Sequence, residues 1–283
     1  CHFHHFRFSG NAQVRTKALV QAMKDAGTLG NRVYAINQNY SWGQDMEKAT
    51  VDNAARGGYE VVEKTLHDVN KIQDFAPYVA KIGAAKVDTV VTGNWSNDLL
   101  LLMKATKAAG LKARFGTIFL DQPGNIANAG DLALGHFIAH TFNPEAGGAE
   151  GDKFVSDYRS RTGTNPVATD PQTVFGLLMV GDALKRVKPQ AGKFNVNAFA
   201  QALETTRITT PIGEISTTRS TRGSRSSSMV SSTYLTASAP PFEKPTRCSG
   251  AGAGARRRAS RTASRVAAAQ SSQRTSVSPP GTV

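Results

Sequence analysis

Two spacings of apolar residues alternate along the first 216 positions of the chain. Short, contiguous apolar or β-branched runs predict buried strands over residues 32–37, 59–66, 87–92, 115–120 and 135–142. Between and after them, apolar side chains return every three or four positions. These stretches predict helices over 14–26, 43–56, 74–85, 97–109, 150–162, 170–187 and 196–205. Gly27, Gly57-Gly58 and Gly110 mark helix stops, and Pro77 falls in a first turn, where its missing N–H costs nothing. Strands alternating with helices imply an α/β fold: a parallel sheet with helices on its faces, joined by right-handed crossovers.

The most informative transition lies in residues 31–43, NRVYAINQNYSWG. The apolar run Val33, Tyr34, Ala35, Ile36 gives way to three amides, Asn37, Gln38 and Asn39. Tyr40, Trp42 and Gly43 follow, and then a helical pattern begins. In open α/β sheets, ligands bind outside the carboxyl ends of strands. Two aromatics and three amides at such an end suit a small polar ligand.

The net charge of +13 is unevenly placed. Thr217 to Val283 holds eleven Lys/Arg and one acid, Glu243, a surplus of ten that leaves three for Cys1 to Ser216. After Ser216 the apolar periodicity stops, and Ser, Thr, Ala, Arg, Gly and Pro dominate. Such a segment cannot bury enough surface to offset its ordering entropy, so residues 217–283 are expected to form a low-complexity, disordered basic tail. Arg256, Arg257 and Arg258 supply charge for nucleic acid, but no aromatic interleaving or recognition module accompanies them, so no specific nucleic-acid partner is expected. The abrupt change also reads as a frameshift near residues 215–219, which an uninterrupted downstream frame in the gene would refute.

No apolar run approaches the roughly 20 residues of a membrane span. The chain opens CHFHHFRFSG, without the basic start and apolar core of a signal peptide, and without Met, as a piece of something longer would. Cys1 and Cys248 make no disulfide framework. Cys1 with His2, His4 and His5 is too crowded for a zinc site, which needs separated ligand pairs. His136 and His140 share a strand face by parity and read as a sheet-surface pair. Neither a phosphate-cradling loop, a Gly-x-Ser-x-Gly elbow nor a catalytic carboxylate pair is evident. No cofactor, no metal and no enzymatic activity are expected.

Five segments in order carry a family resemblance: HFRFSGNAQVRTKAL (5–19), RVYAINQNYSWGQD (32–45), DFAPYVAKIGAAKVDTVVTG (74–93), LLLMKATKAAGLK (100–112) and TPIGEIS (210–216). Together they resemble the substrate-binding proteins of branched-chain amino acid ABC transporters, of type I periplasmic binding (Venus-flytrap) fold. The resemblance covers most of residues 5–216, within a domain set at residues 1–216. It implies two α/β lobes joined by hinge strands, a hinge crossing at Phe6-Arg7-Phe8, a second lobe over about residues 11–144 and part of a first lobe over about 165–205. The first lobe is incomplete in this chain: the segment that grips the ligand's head group in the family has no counterpart here. The family's final strands, expected after TPIGEIS, are replaced by the basic tail.

The resemblance also implies site residues. Tyr40 matches the ligand-facing aromatic of a Tyr-x-x-Gly motif, alternatively a rim residue packed on Trp42. Trp95 would wall the pocket. Asp121, with Gln122, lies near a family acid that pairs with the ligand's ammonium group, alternatively capping the turn LDQPGN. Phe175 falls where the family has Tyr, alternatively as a core aromatic. Asp98 reads as an acid at a helix N-terminus, with Asn94, Ser96 and Asn97 as cap residues. The implied function is capture of a small amino acid, branched-chain or related, or an amide compound, and delivery to a membrane permease by a monomeric periplasmic protein. Two other readings stand beside it: a doubly wound α/β enzyme with an unrecognised cofactor site, and a basic-tail nucleic-acid binder.

Overall fold

A computed structural model describes residues 4–144, 148–190, 193–219, 228–232 and 236–238. In chain order its elements are β1 (Phe6–Arg7), α1 (Ala12–Asp25), β2 (Arg32–Gln38), α2 (Ser41–Asp52), α3 (Ala54–Gly57), β3 (Glu60–His67), α4 (Ala76–Ala84), β4 (Thr89–Thr92) and α5 (Ser96–Ala108). Then come β5 (Arg114–Thr117), α6 (Asn125–Ala129), β6 (Phe137–His140), α7 (Gly148–Thr162), α8 (Thr169–Val187), α9 (Val196–Glu204), β7 (Arg207–Thr210), β8 (Gly213–Arg219), β9 (Ser228–Ser232) and β10 (Thr236–Ser238).

β2 is buried from Val33 to Gln38, which is why it reads as an unbroken apolar run rather than an alternation. Its side chains nevertheless divide by parity. Val33 meets Leu19, Val20 and Met23 of α1 and Met46 of α2 on one face. Tyr34 and Ile36 meet Val79 and Ile82 of α4 and Leu99 and Leu102 of α5 on the other. The strand order is β10-β6-β5-β4-β2-β3, parallel throughout except for the antiparallel edge strand β10. Leu102 is fully buried in this core. Leu102→Ala is expected to cost about 2–5 kcal/mol through lost transfer energy and the cavity it leaves, read as a lower denaturant midpoint with unchanged slope.

Local signals fix the helix ends. The Asn11 side chain accepts the Val14 N–H at 2.9 Å to cap α1, and Asn195 accepts the Ala198 N–H at 3.0 Å to cap α9. Pro77 sits in the first turn of α4. At α5, the preceding residue, Trp95, makes no side-chain cap bond, so the cap expected there from neighbouring polar residues is not made by it. Asn94 turns elsewhere: its N–H donates to Thr92 Oγ1 at 3.0 Å.

A second sheet, β1-β9-β8-β7, pairs β1 parallel with β9 and the rest antiparallel. α8 covers it, burying Phe175 and Met179 against Ile215, with Phe8 and Phe154 alongside. The chain passes between the two sheets after β1, after β6 and after β9.

The structure departs from the sequence reading at several points, among them the break of the helix expected over 43–56 into α2 and α3. α6 and the 3-10 turn at Gly130–Ala133 were not expected, because five residues are too few to show a helical period. Regular structure does not end at Ser216. β8 runs on to Arg219, and β9 and β10 join the two sheets through their backbones. The rest of the expected disordered tail lies outside the described residues, as do Cys1, His2, Cys248 and Arg256 to Arg258. Finally, His140 is not a sheet-surface residue but is buried at 4 % exposure. No described helix is long and apolar enough to cross a membrane.

Candidate functional site

Tyr40, Trp95 and Asp121 each follow the carboxyl end of a strand, β2, β4 and β5 respectively. Those strands are adjacent in the sheet, so the three residues share one edge of it. Trp95 Nε1–H donates to the Tyr40 hydroxyl oxygen at 3.0 Å. The phenol's own hydrogen therefore stays available to donate. Burial pushes the Tyr40 pKa up, and the Trp95 bond opposes this, so the group is a neutral donor near pH 7. Ser96, just past Trp95, has φ of 55°, a left-handed conformation uncommon for a residue with a side chain. Tyr40→Phe is expected to cost about 1 kcal/mol by stranding the indole donor, a fall of a few degrees in melting temperature.

Two glycines let the edge close up. A Cβ on Gly43 would lie 1.8 Å from the Gln38 carbonyl oxygen. One on Gly93 would lie 2.5 Å from Met46 Cγ and 2.8 Å from Trp42 Nε1. Trp42 Nε1–H donates to the Gly93 carbonyl at 3.0 Å, locking the end of β4 to the start of α2.

The amides that end β2 brace this edge from within. Asn37 Oδ1 accepts the Gly93 N–H at 2.7 Å, and Gln38 Nε2 donates to Asp98 Oδ2 at 2.7 Å. The same carboxylate oxygen accepts the Asn70 N–H at 2.8 Å. Asn94 Nδ2 and His67 Nε2 are 2.8 Å apart. Asn37 and Gln38 are fully buried, so they act as scaffold rather than as the ligand-facing groups suggested by the transition in residues 31–43. Asp98 likewise clamps the end of β2 to the Asn70 loop, beyond any role at a helix terminus. Four buried polar atoms lack a partner among the described residues, and they cluster here: Asn37 Nδ2, Gln38 Oε1, Asn94 Oδ1 and Arg15 Nη1.

Burial raises the Asp121 pKa to about 6, against its own backbone hydrogen bond and the nearby Arg15 cation, which both lower it. Gln122 opens the turn into α6: its N–H donates to the Phe119 carbonyl at 3.3 Å and its carbonyl accepts the Asn125 N–H at 2.9 Å. Phe175 is not brought to this edge. It is 4 % exposed on α8, with its ring 5.8 Å from that of Phe154, in the core under the second sheet. Sequence reasoning missed Arg15 and Phe119. Arg15 lies on the apolar stripe of α1, four residues before Leu19, and a cation on an inward stripe is a signal that could have found it.

A hollow of about 820 Å³ lies at the opposite, amino end of the strands, lined among others by Asn31, Lys86, Asp88, Lys112 and Arg114. It is a wide surface depression remote from Tyr40 and Trp95, and none of the partnerless buried atoms lines it.

Acid should loosen the fold through two histidines. The Phe115 N–H donates to His136 Nδ1 at 3.1 Å and the Thr141 N–H to His140 Nδ1 at 3.2 Å, so both rings are held neutral. Burial, then Arg114, lowers the His136 pKa from 6.5 to about 4; burial, then Arg15, lowers that of His140 to about 3. Unfolded histidines bind protons below about 6.5 while the folded ones do not, so this stabilisation is complete above that pH and is lost on acidification. Asp121 has the opposite sign, because its folded form takes up a proton first, between about 6 and 3.8. Two groups outweigh one, so melting temperature should fall between about pH 6.5 and 4.5. A flat profile there would contradict the burial of both rings.

The chain matches the family profile described as "Periplasmic binding protein" over residues 1–233, past the boundary at Ser216. It is 61 % identical over 216 residues to Leu/Ile/Val-binding protein homolog 4 of Brucella abortus (strain 2308), a match covering 76 % of this chain and 52 % of that protein. The chain thus spans about half the length of the curated relatives it matches. Among solved structures, it is similar to the closed conformation of the leucine-, isoleucine-, valine-, threonine- and alanine-binding protein of Brucella ovis. That match has 52 % identity and a TM-score of 0.73, covering 83 % of this chain and 65 % of that one. A leucine-binding protein of Thermotoga maritima shares the fold at 18 % identity and a TM-score of 0.63, with 75 % and 59 % covered. A sheet whose carboxyl edge is closed by Gly43 and Gly93, a second sheet reached by repeated crossings, and relatives of this identity converge on one assignment: the chain belongs to the periplasmic binding protein family.

Proposed function

We propose that this sequence is part of a solute-binding component of an ABC transporter. It captures a small amino acid, branched-chain or related, between two α/β lobes and hands it to a membrane permease outside the cytoplasm. Residues 11–144 form the second lobe, and about 165–205 belong to the first. No bond is made or broken; closure is selected because the solute touches both lobes. The observation that carries this reading is the Tyr40–Trp95 hydrogen bond at the carboxyl edge, with Asp121 on the neighbouring strand end. The hydroxyl supplies a donor, the two aromatic rings a wall, and the carboxylate a partner for an ammonium group. The names of the Brucella relatives fit an aliphatic amino acid. Neither alternative drawn from the sequence, the enzyme or the nucleic-acid binder, gains support from the family or its members.

The test is calorimetric titration of L-leucine, L-phenylalanine and acetamide into the complete protein carrying these residues and into the chain alone. The complete protein should bind one of them, and Asp121→Asn should weaken the binding about 10- to 100-fold, the worth of one charged hydrogen bond. The chain alone should give weak heat or none, since it spans about half the length of the curated relatives it matches. No heat from any solute with the complete protein would refute the proposal.

A further inference from the structure

Arg15 is an interior cation at 5 % exposure, on the inward face of α1. Its Nε–H donates to the Gly10 carbonyl at 3.1 Å. Its guanidinium carbon lies 5.7 Å from the ring centre of Trp42 and 5.8 Å from that of Phe119. Those two rings are 5.4 Å apart and tilted by 55°. Nη1 is buried with no hydrogen-bond partner, and among the described residues no carboxylate comes within the 4.0 Å of an ion pair with Arg15. A charge held so far from water is costly unless a neighbouring group gains from its field.

The neighbour that gains is Asp121. Arg15 is the charged side chain that acts on it, and it favours the ionised carboxyl. From the adjacent strand, His140 also feels Arg15 and stays neutral, so it adds no competing charge. α2 contributes the Trp42 ring to this cluster, and the segment after β5 contributes Phe119. The field reaches Asp121 without a direct bond. An Arg–carboxylate contact would occupy the very oxygens that an ammonium group must use.

We propose that Arg15 is a positioning residue: held by the Gly10 carbonyl and the faces of Trp42 and Phe119, it keeps the Asp121 carboxylate charged while leaving its oxygens open to the ammonium group of a solute. This rests on the reading of Asp121 as the ammonium partner. Dehydration alone would drive Asp121 toward its neutral acid, which cannot form that ion pair. Stacking on two rings holds the guanidinium in place by cation–π attraction instead.

The test follows the Asp121 side-chain carbon by NMR as the pH of this chain is varied, with circular dichroism to verify folding. The wild-type midpoint should lie at about 6. Arg15→Met should raise it by about one unit or more, and Arg15→Lys, which keeps the charge, should leave it within about half a unit. A folded Arg15→Met chain with an unmoved midpoint would overturn the proposal, as would Arg15→Lys moving as far as Arg15→Met. Should Arg15→Met not fold, Trp42→Leu serves. It frees the guanidinium to swing onto Asp121, so the midpoint should fall; an unchanged or raised midpoint overturns the proposal. Leucine affinity of the complete protein separates the two layers. Arg15→Met should weaken binding about twofold at pH 7 for a one-unit rise of the midpoint to about 7, and recover at pH 8.5, as the carboxyl ionises. A raised midpoint with affinity independent of pH would reject Asp121 as the ammonium partner, and this proposal with it.

Discussion

A single methyl group added at Gly43 is expected to cost the chain about 3 kcal/mol or more, at the upper end of what overpacking does. The new Cβ would sit 1.8 Å from the Gln38 carbonyl oxygen and 2.9 Å from its carbon. Both are backbone atoms, so no rotamer change relieves the overlap. α2 must tilt away from the end of β2, which strains the Trp42 bond to Gly93 and the packing of Met46 against Val33. The effect should be concentrated at the carboxyl edge. Gly43→Ala is expected to lower the denaturant midpoint and to raise amide exchange in residues 37–46 and 93–96 above that of α4. Wild-type stability in this variant would mean that the turn between β2 and α2 is far looser than the structure has it.

Asp98→Ala is expected to be nearly as damaging. The side chain is 1 % exposed and one of its oxygens accepts from both Gln38 Nε2 and the Asn70 N–H. Removing it strands the buried Gln38 amide, costing about 1–3 kcal/mol, and takes the acceptor from the part-buried Asn70 N–H as well. Asp98→Asn keeps one acceptor oxygen in place and should recover about half of the loss, since charged acceptors are worth roughly twice neutral ones. Thermal melts of the pair decide the matter. Equal melting temperatures for Asp98→Ala and wild type would show that the two donors find water instead.

Much of this fold is legible from sequence where burial is two-sided and local. β2 was expected to end at Asn37 and ends at Gln38, and α8 was expected from Asp170 and begins at Thr169. Such elements carry their own pattern, because both faces of the strand and one face of the helix are apolar. β9 and β10 carry none. SMVSS and TAS are short and polar, and their strand character comes from the backbones they meet, Thr218 and Ile215 in one sheet and Ile138 to His140 in the other. The site was legible in part. Tyr40 and Trp95 stand at strand ends, a place that sequence identifies. The partners of Asp98 lie 60 and 28 residues away, so local reading offered only the helix terminus. Phe175 was placed by analogy at one position of a helix, and its surroundings are those of a core residue.

The place of β9 sets an order of assembly. Among the described residues, Phe6 and Arg7 pair as a strand with Ser228 and Met229, near the far end of the described chain. The six-stranded sheet needs nothing beyond residue 140 to pair its five parallel strands. During synthesis that sheet can condense while the first strand of the smaller one still waits. Contacts of such sequence separation form slowly. A ribosome halted soon after residue 219 would therefore present the five parallel strands of one sheet already paired and the other sheet with its middle rung missing.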